Sequence, residues 1–251
     1  MRRPNWRDLG ENNWGLKKQK WKDWIVSILS ELSSIVDPIR NKLQKKNIEK
    51  TLQNYPKCCI SLGAGKEVPE GWIGFDRYKS GKNIFSVNML FDFPVKTDVV
   101  DAILAEHILE HFFWDDLEYI LQECFRVMKN GGKIRIVSPD AKNIARLIQL
   151  GIEAEKDYDV QIDSDIHHWN KDGMRWVRTI NQLTHQWGEH KCVLTSEMLK
   201  CLMEKIGFQE ITILSVKKSK FFDEIPDIHQ KRFPDDREGT SFAIEALAIK
   251  E

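Results

Sequence analysis

The stretch Cys58-Cys59-Ile60-Ser61-Leu62-Gly63-Ala64-Gly65, followed by Trp72-Ile73-Gly74-Phe75-Asp76, decides the fold of this 251-residue chain. It predicts a short buried strand, a glycine turn and a second strand that ends in a carboxylate. Glycines let backbone approach a ligand closely, because they carry no Cβ and adopt positive φ without strain. A carboxylate at the tip of the second strand can accept hydrogen bonds from both hydroxyls of a ribose. The pattern therefore indicates a pocket for a nucleoside.

From residue 57 onward, strand patterns alternate with helix patterns, as in an α/β fold whose parallel sheet binds ligands at the carboxyl ends of its strands. The predicted strands are mostly apolar runs rich in β-branched residues: Cys58–Leu62, Trp72–Phe75, Ile84–Val87, Val99–Ala105, Lys133–Val137, Glu210–Val216 and Phe242–Ile249. The predicted helices are Trp114–Met128, Ala141–Leu150 and Ser196–Ile206. We expect an αL stop at Asn130-Gly131-Gly132 for the first, and Thr195 and Gly207 as the ends of the third.

The composition argues against several classes of protein. Lys plus Arg and Asp plus Glu both total 38, so the neutral formal charge disfavours a nucleic acid as the main partner. The five cysteines are odd in number, lack a CxxC spacing and lie partly in apolar runs, which predicts reduced, buried thiols. The chain shows neither the apolar core of a signal peptide at its start nor an apolar run of membrane-spanning length. These features together predict a cytoplasmic protein.

Two parts of the chain differ from the alternating region. Residues 1–56 form a basic, Trp-rich helical extension, with twelve basic and six acidic residues among the first 50. An apolar stripe at helical spacing predicts a helix from Trp21 that Pro38 ends or kinks. That helix either lies against the core or, through residues 1–36, contacts an anionic membrane or glycan. Residues 151–192, rich in His, Trp and Asp, predict an insertion or lid on the substrate side of the 57–251 domain.

The spacing after the glycines restricts the choice of cofactor. A dinucleotide site needs GxGxxG and a full helix before the acidic residue, but only Gly63-Ala64-Gly65 is present and Pro69 and Gly71 interrupt the interval. A Walker loop is excluded because no GK[ST] follows. A cofactor without a pyrophosphate does not need a long helix N-terminus beneath it. S-adenosylmethionine (SAM), with its ribose, adenine and amino-acid end, is the leading candidate.

Further motifs follow the glycine motif in a characteristic order. They are Val100-Asp101-Ala102-Ile103-Leu104-Ala105-Glu106-His107-Ile108-Leu109-Glu110-His111, the run from Arg126 through Asn130-Gly131-Gly132 to Asp140, Gly188-Glu189-His190-Lys191, and Thr240 to Ile249. With these blocks, residues 57–250 resemble the class I SAM-dependent methyltransferases, and within them the type 11-like branch with a shortened first crossover, often found near genes for surface-glycan synthesis. The resemblance implies a Rossmann-like, seven-stranded, mostly parallel sheet with helices on both faces.

Carried over by position, the resemblance also implies a cofactor site. Its members are Leu62, Gly63, Ala64, Gly65, Asp76, Arg77, Asn88, Met89, Glu106 and His107. The glycine turn would lie under the methionine part of SAM, Asp76 would hold the ribose, and Asn88 with Met89 would lie at the adenine edge. The family usually has Asp where this chain has Asn88, a change that bears on affinity more than on identity.

Methyl transfer needs alignment of donor and acceptor and often a base for the acceptor proton. The candidate catalytic residues are His107, His111, Asp140 and His190. Asp140 can equally be the N-cap of the next helix. His107 to His111 also spells H-x-x-E-H, an inverted zinc motif. Such short matches recur by chance, so we predict no metal here.

These observations predict a SAM-dependent methyltransferase acting on a small-molecule or sugar-containing acceptor. A SAM-binding scaffold or regulatory protein without transferase activity is the alternative. An NAD-dependent oxidoreductase is disfavoured by the short interval from Gly65 to Asp76. The sequence assigns neither the acceptor atom nor the oligomeric state.

Overall fold

A computed structural model describes residues 35–77, 81–151, 175–227 and 241–250. The strands in these ranges are β1 (Cys59–Leu62), β2 (Ile73–Asp76), β3 (Ile84–Ser86), β4 (Val100–Glu106), β5 (Met128–Pro139), β6 (Phe208–Leu214) and β7 (Ser241–Ala248). The helices are α1 (35–52), α2 (Trp114–Val127), α3 (Ala141–Leu150), α4 (Arg175–His185) and α5 (Ser196–Ile206). Short 3₁₀ turns occupy Leu109–His111 and Gln186–Gly188.

The described strands form one seven-stranded sheet in the order β3-β2-β1-β4-β5-β7-β6. Strands β1 to β5 run parallel, whereas β7 pairs antiparallel with both β5 and β6. The chain therefore has the mostly parallel sheet that the sequence predicts. The strand order reverses between β1 and β4. In parallel sheets such a reversal leaves a crevice at the carboxyl ends of the two strands.

The core lies on both sides of the central strands. Apolar residues of β1, β4 and β5 are almost completely buried, because strands in the middle of a parallel sheet are covered on both faces. Helix α2 contributes its predicted apolar stripe to the same buried cluster. Ile48 and Leu52 of α1 also belong to that cluster, so α1 packs directly against the domain that begins near residue 57. The proposed division at residue 56 remains a prediction.

The helix ends agree with the sequence in one case and differ in another. Thr195 caps α5 by accepting a hydrogen bond from the Met198 N–H (3.2 Å), and Gly207 ends it at φ 113°, as predicted. Helix α2, however, ends before the predicted stop at Asn130-Gly131-Gly132. Its C-cap, Met128, is already extended, since the chain enters β5 there, and Gly131 takes positive φ inside the strand instead.

Residues 35–52 are helical and include Pro38, but the predicted helix from Trp21 lies outside the described ranges up to residue 34, so the prediction that Pro38 ends or kinks it stays a prediction. Most of the predicted lid, with His167 and His168, also lies outside them, as does the apolar stripe before residue 35. Of the helices described, none combines the length and the hydropathy that crossing a bilayer requires.

Candidate active site

The turn after β1 has a glycine backbone that other groups can approach closely. Gly63 and Gly65 have φ of 63° and 58°, a left-handed conformation that favours glycine. A Cβ at Gly63 would lie 2.5 Å from Cγ1 of Ile108, so the turn that follows β4 packs directly on the glycine backbone. Leu62, at the end of β1, pairs with Ala105 of β4, which puts the glycine turn beside the end of β4.

Asp76 ends β2 next to this turn. Its Oδ2 accepts a hydrogen bond from the Gly65 N–H (2.9 Å), so the carboxylate is oriented by the glycine turn itself. The carbonyl of the following residue, Arg77, accepts from the Ser86 hydroxyl at the end of β3 (2.9 Å). The structure thus brings together the predicted residues Gly63, Gly65 and Asp76.

The predicted adenine edge is occupied by contacts to α1. The Asn88 amide donates to Oδ2 of Asp37 (2.7 Å), and its oxygen accepts from the Leu90 N–H (3.1 Å). Asn41 brackets the same backbone, accepting from the Asn88 N–H (3.1 Å) and donating to the Asn88 carbonyl (3.0 Å). Asn88 and its neighbour Met89 are both buried. Sequence reasoning missed Asp37 and Asn41, because nothing in the chain indicates that α1 reaches this strand end.

The end of β4 carries a strained histidine. Glu106 is buried, and the next residue, His107, has φ of 49°, which is uncommon for a residue with a Cβ. The His107 N–H donates to the carbonyl of Val137 on β5 (2.9 Å), which fixes this turn to the neighbouring strand. Strained backbone of this kind concentrates at functional sites.

Glu110 lies at the centre of the polar cluster after β4. Its Oε1 is 3.3 Å from Nδ1 of His107, and its Oε2 is 3.3 Å from the Ser138 hydroxyl at the end of β5. Burial by itself raises the pKa of the Glu110 carboxyl. The hydrogen bond and charge of His107 outweigh that effect, so the pKa of Glu110 lies below its ordinary value.

His111 and His190 meet on the other side of Glu110. Their ring centroids are 5.0 Å apart with an interplanar angle of 80°. Burial lowers the pKa of His111 below its ordinary value, and the nearby His190 adds to this against the opposing attraction of Glu110. The structure therefore brings three of the four predicted catalytic residues, His107, His111 and His190, around one carboxylate.

The H-x-x-E-H segment does not form the helix that a zinc motif of that spacing needs. His107 lies outside any helix, and only Leu109–His111 make a 3₁₀ turn. His107 and His111 are therefore not presented on one α-helical face, as an i, i+4 pair of zinc ligands would be.

Asp140 lies elsewhere. Its Oδ1 accepts from the Lys142 N–H (2.9 Å) at the start of α3, which is the N-cap role that the sequence left open. It lines a cleft of about 360 Å³ together with the end of β6 and the start of β7, a wall that includes none of the three histidines. A catalytic role for Asp140 remains a prediction.

The other described histidine, His185, is exposed at the end of α4, and its Nδ1 lies 2.6 Å from the Thr184 hydroxyl. It is not part of the polar cluster. All five cysteines are free thiols, but the predicted burial is wrong for Cys201, which is exposed, whereas Cys59 and Cys124 are buried. Burial and nearby Glu110 raise the pKa of Cys192 to about 11, which makes this thiol a poor nucleophile.

Residues 72–136 match the model of a family described as a methyltransferase domain. No curated protein matches the sequence. Among solved structures, a SAM-dependent methyltransferase from Archaeoglobus fulgidus is 17% identical, with 82% of this chain and 94% of that chain covered and a TM-score of 0.46. A protein from Thermotoga maritima, described as a possible histamine N-methyltransferase, is 16% identical, with 88% and 95% covered and a TM-score of 0.44.

Both solved structures are similar to this chain only at low identity and low TM-score. The matched residues run from β2 through β4 and α2 into β5, and they include Asp76 and the His107–Glu110 pair. The sheet has the seven strands, mostly parallel, that the sequence resemblance implies, and the structure adds that β7 lies antiparallel between β5 and β6. The methyltransferase-domain match of residues 72–136 and the mostly parallel sheet are both what the resemblance to the class I SAM-dependent methyltransferases predicts.

Proposed function

We propose that the chain methylates a small-molecule or sugar-containing acceptor that enters beside the end of β4. One observation carries this proposal: the glycine turn and the His107–Glu110 pair follow adjacent parallel strands, aligned by the pairing of Leu62 with Ala105. A cofactor over the turn would therefore lie next to the polar cluster. The acceptor class itself rests on the branch that the sequence resembles.

The residues at the turn fit SAM. The backbone at Gly63 and Gly65 offers a surface without side chains, and a Cβ at Gly63 has no room. Asp76 supplies a carboxylate that is held against the same turn and suits a ribose. Bound there, SAM supplies an electrophilic methyl group on a sulfonium.

The remaining chemistry falls to the protein. We assign the Nδ1 proton of His107 to the contact with Glu110, which makes Nε2 the proton-accepting atom. Glu110 then holds the ring in place and stabilises its cationic form after the acceptor proton is taken. The backbone hydrogen bond from His107 to Val137 fixes the main chain of this base against the end of β5.

The test is calorimetric titration of the full chain with SAM and with its demethylated product. We expect both to bind, and Asp76→Ala to weaken binding by about 10- to 100-fold, since hydrogen bonds to a charged group contribute roughly 1.5–3 kcal/mol. Asp115→Ala, a change of the same type at an exposed position of α2, is the matched control. If neither ligand binds, or if the two variants behave alike, the proposed cofactor site is wrong.

A second function, SAM binding without transfer, has one observation in its favour. Both polar atoms of the Asn88 side chain already have hydrogen-bond partners in Asp37 and Leu90. This side chain is therefore less able to form hydrogen bonds with adenine than the Asp that is usual in the family. Tight binding of SAM without methylated product from any pool of sugar nucleotides or small hydroxylated compounds would favour this alternative.

A peripheral membrane contact through residues 1–36 also remains a proposal. In the described part of α1, the apolar side chains of Ile35, Val36, Ile39 and Leu43 are exposed. Exposed lysines accompany them at positions 42, 45 and 46, which suits an anionic surface. Sedimentation with anionic liposomes at low and high salt, with and without residues 1–20, would test it, and equal sedimentation of both forms would contradict it.

A further inference from the structure

Glu110, His111 and His190 converge although they come from distant parts of the chain. Glu110 and His111 belong to the 3₁₀ turn after β4, whereas His190 lies in the segment between α4 and α5. One potential ligand atom from each residue lies within 4.8 Å of the other two. Glu110 is 2% exposed and His190 is 9% exposed, so this is not a solvated surface cluster.

Backbone hydrogen bonds hold the two segments together. The N–H groups of Lys191 (2.7 Å) and Cys192 (3.2 Å) both donate to the carbonyl of Glu110. The Cys192 thiol lies 3.8 Å from the carbonyl of Leu109, on the same turn. His190 is thus held against the turn by its neighbours' main chain, and its ring need not provide the contact.

The His190 ring has one nitrogen with a partner and one without. Nδ1 is 2.8 Å from the Leu183 carbonyl, which can only accept, so Nδ1 carries the proton and Nε2 carries the lone pair. Nε2 is inaccessible to solvent and has no hydrogen-bond partner in the described part of the chain. A buried polar atom without a partner is costly, and such exceptions require an explanation.

We propose that Glu110, His111 and His190 bind a single divalent transition-metal ion of the zinc class. Two imidazoles and one carboxylate are ligands that suit zinc and its neighbours, whereas magnesium and calcium prefer oxygen donors. The hydrogen bond from His190 to the Leu183 carbonyl is the outer contact that orients a metal-binding imidazole. The ion would also give Nε2 the partner that it lacks.

The geometry needs only a small closure. With bonds of about 2.1 Å, ligand atoms of a tetrahedral zinc site lie roughly 3.4 Å apart, so ligand atoms now within 4.8 Å of one another need to close by at most about 1.4 Å. Three protein ligands leave one position for water or for an oxygen of the acceptor. That last role depends on the proposed function, whereas metal binding itself does not.

This site differs from the H-x-x-E-H motif of the sequence. The motif would pair His107 with His111, but in the structure His107 contacts Glu110 through Nδ1 and His111 faces His190 instead. The third ligand is therefore a residue that no local spacing connects with the other two. If this site binds an ion, the prediction from the sequence that the chain binds no metal is wrong.

The experiment uses the full chain without a histidine tag, made metal-free with a chelator and titrated with Zn²⁺ by calorimetry. We expect one equivalent to bind, and His111→Gln and His190→Gln each to weaken Zn²⁺ binding at least 100-fold. His185→Gln, at the exposed histidine of α4, should bind as the parent does. Co²⁺ should give the parent the visible absorption of a four- or five-coordinate site, and neither ligand variant should reproduce that spectrum.

The proposal fails if the parent takes up no stoichiometric Zn²⁺, or if the ligand variants bind as well as His185→Gln. Circular dichroism checks that each variant is folded. If a variant is unfolded, the Co²⁺ spectrum of the parent decides, because six-coordinate weak absorption would contradict the site. Titration of metal-free protein with the demethylated cofactor product separates the two proposals, since binding there with no Zn²⁺ site leaves the proposed function intact.

Discussion

At the scale of single residues, Gly63 links the cofactor turn to the turn after β4. Its positive φ and its contact with the Ile108 side chain are separate constraints, and each excludes a side chain for its own reason. The same two turns carry the candidate cofactor site and the candidate base. A change at this glycine therefore acts on packing and on ligand binding together.

We predict that Gly63→Ala lowers the free energy of unfolding by about 2–5 kcal/mol, the sum of the αL penalty and of overpacking. Gly71→Ala is the matched control, because Gly71 has φ of 80° with nothing near its missing Cβ, and it should lose only about 1–2 kcal/mol. Urea denaturation measures both. In the double variant Gly63→Ala/Ile108→Ala the two losses should be less than additive, and strict additivity would show that the contact is unimportant.

At the scale of elements, α1 is joined to the loop after β3 by a specific pair of side chains. The Asp37 carboxylate also forms an ion pair with Arg40, and its other oxygen accepts from Asn88. An Asp at position 88, the usual residue of the family, would direct a second carboxylate at Asp37. The Asn at this position therefore suits its partner Asp37 in α1.

We predict that Asn88→Asp destabilises the fold by about 3 kcal/mol, through a lost hydrogen bond and two facing carboxylates. The exchange Asp37→Asn/Asn88→Asp should restore most of that loss, because donor and acceptor then change places. Asn47→Asp, at an exposed position of the same helix, is the control. Urea denaturation at neutral pH gives the three values, and failure of the exchange to recover stability would count against this pairing.

A second link between elements is a buried ion cluster. Arg135 of β5, fully buried, donates to Oδ2 of Asp227 (2.6 Å) and to Oε1 of Glu245 on β7 (2.6 Å). The other oxygen of Glu245 accepts from the N–H groups of Lys220 (2.8 Å) and Phe221 (3.0 Å). The cluster therefore fixes the loop after β6 to the neighbouring strands β5 and β7.

We predict that Glu245→Gln lowers the free energy of unfolding by about 3–5 kcal/mol, since removing one partner leaves a buried charge poorly compensated. Glu118→Gln breaks the exposed pair with Lys205 and should change stability by less than about 1 kcal/mol. Thermal or urea unfolding compares them. Equal losses in the two variants would mean that burial does not govern the strength of this cluster.

At the scale of the whole molecule, local patterns predict the elements and miss the contacts between distant ones. All seven strands and the helices α2, α3 and α5 follow from apolar runs, caps and glycines, and the motif order predicts the cofactor turn with Asp76. The convergence of His111 with His190 depends on how the segment after α4 returns to β4, which no spacing encodes. Arg135 was not singled out either, because its burial becomes evident only once its partners from β7 and the loop are known.

The position of β7 has a consequence for how the protein is made. Of the seven strands it comes last in the chain, yet it lies between β5 and β6 in the sheet. During synthesis, β5 and β6 are therefore made before the strand that lies between them. Arg135 has no ion pair with Glu245 until β7 has been synthesised. Until then an apolar strand edge and a charge remain exposed in the nascent chain, the condition in which partly folded proteins associate wrongly and need chaperones.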